Sequence, residues 1–166
     1  MMSMFLIDAI FAAIAGLGFS YANKPPKRIL IFCAMLGGFG YSLRVIFMNY
    51  FSYTISTFIS AICVSFVAVF LARKAKTPIE IIAFPSLLPM IPGLYAYKAM
   101  LAMFLFIQTD IEKKKSHYLV EIFDYGSTAV SAIFALAVGV SVVILIFYEK
   151  SFTMTRNKDF KKRYLD

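Results

Sequence analysis

The stretch Thr77–Leu101, TPIEIIAFPSLLPMIPGLYAYKAML, decides how this chain is to be read. It is apolar enough to enter hydrocarbon, yet it carries Pro85, Pro89 and Pro92 at spacings of four and three, with Gly93 directly behind. On a helix the three prolines share one side. Each lacks an N–H and frees the carbonyl four residues earlier, here those of Ile81, Pro85 and Leu88. Bare carbonyls inside a bilayer are tolerated only where they face protein or a water-filled cavity. The apolar run from Pro78 to about Ile107 holds 30 residues. As one straight helix it would reach roughly 45 Å, well beyond a hydrocarbon core of about 30 Å. A broken or unwound helix follows, with a kinked and tilted single span as the alternative. Broken helices of this kind build substrate sites in many secondary transporters.

The surroundings of this segment agree with a membrane setting. Of the 166 residues 61% are hydrophobic and only 16% charged, with a mean hydropathy of +0.78. A soluble domain carries about a quarter charged residues because its surface must be wetted. The composition therefore excludes a secreted disulfide scaffold, a disordered tail and an ordinary soluble enzyme. Cys33 and Cys63 both sit in apolar runs without a CxxC or clustered histidine, and read as small core hydrophobes. The net charge of +8 is spread in short clusters between apolar runs, which is a membrane-orientation pattern rather than a nucleic-acid footprint.

Five apolar runs approach the roughly 20 residues that a crossing helix needs. They are Met4–Ala22, Ile29 to about Met48, about Thr54–Ala72, Pro78 to about Ile107 and about Gly126–Tyr148. The expected fold is thus an all-α integral membrane bundle of five transmembrane helices, the fourth broken by prolines. The intervening loops are too short for a second domain, so residues 1–166 form one bundle with a short basic tail at 149–166. The first run is not read as a signal peptide, because no Lys or Arg precedes it and Asp8 lies within it.

Orientation follows from the cations. Lys24, Lys27 and Arg28 follow the first run, Arg73, Lys74 and Lys76 the third, and Lys150, Arg156, Lys158, Lys161, Lys162 and Arg163 the fifth. The second loop, NYFSYT, is uncharged, and in the fourth Lys113, Lys114 and Lys115 are offset by Asp110, Glu112 and Glu121. Basic loops stay in the cytoplasm. The N-terminus is accordingly expected outside and the C-terminus inside, in a multi-pass protein of the plasma (inner) membrane.

Helices in lipid associate where small residues let backbones approach. Asp8, Ala12, Gly16 and Ser20 recur every fourth residue in the first run; Cys33, Gly37, Gly40 and Arg44 share a face of the second; Ser127, Ser131, Ala135 and Gly139 share a face of the fifth. These faces are packing surfaces first. The charges at their ends are the functional candidates, since an ionised group within a span costs at least about 2.5 to 3.5 kcal/mol at the midplane and normally faces protein or water. Asp8 and Arg44 have matched depth and matched small-residue faces, so an ion pair between them is one expectation. A snorkelling or structural role for Arg44 is the alternative. Lys98 adds a cation just beyond Gly93, and Tyr95 and Tyr97 add hydroxyls, whereas Glu80 reads as an acid complementing a helix dipole. The substrate or ion-coupling candidates are therefore Asp8, Arg44, Pro85, Pro89, Pro92, Gly93, Tyr97 and Lys98. His117, in KKKSHYL, is the single histidine and is read as a solvated loop residue. No HExxH, Ser/His or paired-acid arrangement sits within one span, so neither an enzyme, a cofactor nor a metal is expected.

The run LLPMIPGLYAYKAM, with DAIFAAIAGLGF in the first span, the NKPPKR loop and CAMLGGFGYSLRVIFM in the second, resembles the small five-helix membrane subunit of the split threonine/serine exporter family, the C-terminal half of ThrE-like exporters. The PMIPG element is the most specific part, and the likeness covers nearly the whole chain up to the fifth span. The resemblance implies a secondary exporter of small amino acids such as threonine and serine, or of small carboxylates, working with a larger partner subunit. It also implies that the family's Asp and Arg in the first two spans correspond to Asp8 and Arg44, and its proline motif to Pro89, Pro92 and Gly93 with Tyr97 following. An odd span count is compatible with the partnership: a similar five-span unit starting inside would have the opposite orientation, as in inverted five-plus-five repeats. A homo-oligomeric channel and an accessory membrane subunit without its own substrate site are the competing readings.

Overall fold

The structure is a computed structural model that describes residues 2–23 and 25–152. Six α-helices account for most of it: α1 (Met2–Ala22), α2 (Lys27–Phe47), α3 (Tyr53–Ala75), α4 (Glu80–Leu87), α5 (Gly93–Gln108) and α6 (Glu112–Phe152). The described residues hold no strand. α2, α3 and α6 are each long and apolar enough to cross a bilayer. α4 and α5, joined through a break, make a fourth such span if counted together, and the apolar stretch Leu6–Ala22 of α1 is shorter.

Packing pairs α1 with α2, α3 with α6, and α5 with α6, while α2 also meets α3 and α4 is enclosed by α1, α2 and α3. The core runs through Ile29, Cys33 and Leu36 of α2, Val64 and Val69 of α3, Ile82 and Leu87 of α4, and Leu136 and Val140 of α6. Small residues set the spacing. A Cβ built on Gly16 would lie 2.8 Å from the Cys33 carbonyl oxygen, and one on Gly37 would lie 3.0 Å from the Ala12 carbonyl oxygen and 3.4 Å from the Gly16 Cα. α1 and α2 thus meet backbone to backbone. At Gly40 the same device admits Val64 and Met90, and at Gly139 it admits Ala61 of α3. Ala12 and Ala135 are buried on these faces, and the Ser131 hydroxyl lies 2.9 Å from that of Thr54, tying α6 to the start of α3.

α3 ends where Lys76 takes a left-handed φ of 54°. There the Lys76 N–H reaches the Arg73 carbonyl at 3.3 Å and the Thr77 N–H reaches that of Ala72 at 3.0 Å. This Schellman-type closure, with Arg73 and Lys74 in the last turn, redirects the chain into α4.

The segment α4–α5 is bent by 49°. α4 tolerates Pro85 within it, then tightens into a 3-10 turn at Leu88–Met90. Ile91 is extended (ψ 134°) and Pro92 has φ −77°, ψ 56°, with the Gly93 N–H donating to the Ile91 carbonyl at 2.8 Å. Pro92 therefore centres an inverse γ-turn. Two of the three carbonyls expected to be bare find partners nearby: that of Leu88 accepts the Ile91 N–H at 3.1 Å, and that of Ile81 lies 3.7 Å from the Cys33 thiol.

One boundary differs from the sequence reading. The stretch before Gly126 is not a loop: α6 starts at Glu112 and runs for 41 residues, about 60 Å at 1.5 Å per residue. Between Glu112 and Tyr125 there is no glycine or proline to stop it, Glu112 complements the dipole in the first turn, and His117 pairs with Glu121 one turn on at 3.5 Å. His117 is exposed, as a solvated residue, but on a helix. At the other end α6 continues through 149–152 into the expected tail. Residues 153–166 and Lys24 lie outside the described residues.

Candidate functional site

Arg44 organises the site. It sits in the last turn of α2, on the face that also carries Cys33, Gly37 and Gly40, and only 7% of it is exposed. Because the backbone turns away at Ile91, the carbonyl of Met90 is left without the N–H that a continuous helix would bring to it. Arg44 supplies the donor: Nη1 donates to the Met90 oxygen at 2.8 Å. The same nitrogen donates to the Tyr53 hydroxyl at 3.1 Å. The guanidinium carbon lies 4.8 Å from the ring centroid of Tyr41 and 5.2 Å from that of Tyr53, within range of a cation–π attraction. Nε is buried without a hydrogen-bond partner.

Around this cation opens a cavity of about 660 Å³. Its walls come from four places: Asp8 of α1; Tyr41, Arg44 and Val45 of α2 with Met48 and Asn49 after it; Tyr53 of α3; and Pro89, Ile91, Pro92, Gly93, Leu94 and Tyr95 around the break. Five of the residues singled out from the sequence, Asp8, Arg44, Pro89, Pro92 and Gly93, thus share one cavity. Asp8 is exposed on its wall. The ion pair expected between Asp8 and Arg44 does not form: the single salt bridge among the described residues is His117–Glu121. Bound to a carbonyl, a hydroxyl and two rings instead, Arg44 keeps its charge free of a carboxylate.

Three candidates fall elsewhere. Pro85 is buried within α4 and does not reach the cavity. Tyr97 is 63% exposed on the outer face of α5. Lys98 extends its ammonium over the ring of Tyr125 at 5.1 Å, beside a separate cavity of about 180 Å³ that it shares with Leu101, Ala102, Leu105, Glu121 and Tyr125. The reason is geometric: Gly93 and Lys98 are five residues apart, and five residues turn a helix by more than a full revolution, which carries Lys98 away from the cavity.

Tyr41 and Tyr53 were not apparent from the sequence as site residues. Neither interrupts the hydropathy pattern, and tyrosines near helix ends are ordinary at membrane interfaces. A usable signal was Tyr41 itself, one turn before Arg44 and therefore on the same face. Met90 was invisible, because its contribution is a backbone carbonyl freed by the unwinding at Ile91 and not by the proline rule.

The family model described as Threonine/Serine exporter, ThrE, matches residues 8–146. The chain belongs to this exporter family. The threonine/serine exporters are a family of membrane transporters, in agreement with helices apolar enough to span a bilayer. Among curated proteins the chain is 28% identical over 151 residues to an uncharacterized protein of Haemophilus influenzae, an alignment covering 87% of this chain and 48% of that relative. The chain therefore spans about half the length of this curated relative. No solved structure matches it. The matched region of this exporter-family chain begins at Asp8 and takes in every residue that lines the cavity.

Proposed function

We propose that this chain is a transport subunit of a secondary exporter for small amino acids such as threonine and serine, or for small carboxylates, and that the cavity at Arg44 holds the substrate's carboxylate. The observation that carries this reading is Arg44 itself, a nearly buried cation on a cavity wall with no carboxylate paired to it. A buried charge is costly without a counter-charge, and a carboxylate ligand supplies one. An ammonium group finds its complement in Asp8 and in the tyrosine faces.

The finer architecture belongs to the same proposal. α1, α2, α3, the broken pair α4–α5, and α6 from about Gly126 onward make five spans, with the N-terminus outside and the C-terminus in the cytoplasm of the plasma membrane. The first part of α6 then projects beyond the hydrocarbon on the outer side. A C-terminal reporter is expected to be active only in its cytoplasmic form, and a periplasmic signal would overturn the orientation. A larger subunit of the same family would complete the pathway, in keeping with a relative of about twice this length.

Co-reconstitution of this chain with that subunit in proteoliposomes tests the function. Saturable, gradient-driven flux of labelled threonine, serine or a small dicarboxylate is expected with both chains and not with either alone. Single-channel current without uphill transport would favour a pore. Full transport by the larger subunit alone would make this chain an accessory.

A further inference from the structure

We propose that Tyr53 is a positioning residue for Arg44, holding the guanidinium in the orientation that receives a substrate carboxylate; the inference rests on the cavity being the substrate site. Nη1 of an arginine carries two hydrogens. Its two acceptors here are the Met90 carbonyl at 2.8 Å and the Tyr53 hydroxyl at 3.1 Å. With both hydrogens committed in different directions, the plane of the guanidinium is set.

Tyr53 is suited to this role by what stands behind it. It opens α3 directly after the turn that follows α2, so it lies at the same level as the last turn bearing Arg44. Its ring approaches the guanidinium carbon to 5.2 Å and, farther from it, packs against Tyr95 with centroids 4.7 Å apart at 55°. Tyr95 lies in the first turn of α5, just past the break, and itself meets Tyr125 of α6 at 6.2 Å. Arg44 is thereby referenced to both sides of the break: through Met90 to its beginning, and through Tyr53 and Tyr95 to the helix that follows. Tyr41 offers a ring at 4.8 Å but lies on the same helix as Arg44 and carries no such link.

The test uses Tyr53→Phe, which keeps the ring and removes the acceptor, and Tyr53→Leu, which removes both. Transport is measured in proteoliposomes with the larger subunit, and the rate of Arg44 modification by phenylglyoxal is read by peptide mass spectrometry in the absence of substrate. For Tyr53→Phe, KM should rise about three- to tenfold with Vmax within about twofold, less than the full worth of a hydrogen bond to a charged group, because Met90 still holds the guanidinium and no substrate contact is itself removed. Arg44 should be modified at least about threefold faster, and Tyr53→Leu should exceed Tyr53→Phe in both readouts. Unchanged Arg44 reactivity in both variants would overturn the positioning role, whatever transport does. A fall in Vmax with KM and reactivity unchanged would assign Tyr53 a purely structural part and overturn it equally. Faster modification in Tyr53→Phe, together with an Arg44→Gln protein that transports with wild-type KM, would support positioning and reject the substrate-site reading.

Discussion

Arg44→Gln is expected to raise the KM for export about ten- to hundredfold while the protein still assembles. The magnitude is that of losing a charge-assisted hydrogen bond to substrate, about 1.5 to 3 kcal/mol, at about 1.4 kcal/mol per tenfold. Glutamine ends two bonds short of Nη1, so the substitution removes the donor to the Met90 carbonyl together with the charge. Arg44→Lys separates the two contributions. It restores the charge without the planar fork that serves Met90, Tyr53 and a ligand at once, and it should fall between glutamine and wild type. Asp8→Asn should weaken amino-acid transport and leave a dicarboxylate less affected, because Asp8 is exposed on the cavity wall and free of Arg44. Kinetics in proteoliposomes measure all three variants, and a wild-type KM for Arg44→Gln would remove the basis for a carboxylate site.

Gly16→Val should be the most destabilising small change in the bundle. Even a methyl group at Gly16 would meet the Cys33 carbonyl oxygen at 2.8 Å, and that atom belongs to the backbone of α2, which cannot swing aside as a side chain can. The two helices must separate along the line where Gly37 approaches Ala12 and the Gly16 Cα. Overpacking of this kind costs about 1 to 3 kcal/mol. Separation would also reach the site, because a Cβ position at Gly37 lies 3.5 Å from Pro89 Cγ and α1 carries Asp8. Gly18, two residues away, has nothing within 4 Å of its Cβ position, so Gly18→Ala is the matched control. Thermal unfolding in detergent should show a clear loss of melting temperature for Gly16→Ala, a larger one for Gly16→Val, and none for Gly18→Ala. Equal melting of all three with wild type would mean that close approach of α1 and α2 does not hold the bundle together.

Both predictions depend on features that differ in how far the sequence reveals them. The small-residue faces of α1, α2 and α6 could be read from spacing, because residues three or four apart share a helix face whatever surrounds it. The break before Gly93 was equally local: a proline removes its N–H and restricts its own φ wherever it stands. The continuation of α6 back to Glu112 was missed because charge and low hydropathy mark the end of a membrane span and not the end of a helix. Nothing between Glu112 and Tyr125 breaks the backbone ladder, so the helix goes on after the apolar pattern has stopped.

By itself, then, the sequence determined an all-helical chain of membrane character, an interrupted segment at Pro85–Pro92 that had to break or kink, and two charged residues, Asp8 and Arg44, at the ends of smooth faces. These follow from composition and from periodicity, which act within one helix at a time. Only the tertiary structure decided what those charges meet. Spacing along a helix says which side a residue is on, but the neighbour across the gap depends on how each helix is rotated and where the chain bends. That is why Arg44 binds the Met90 carbonyl and Tyr53 rather than Asp8, and why Lys98, five residues past Gly93, stands over Tyr125 and outside the cavity.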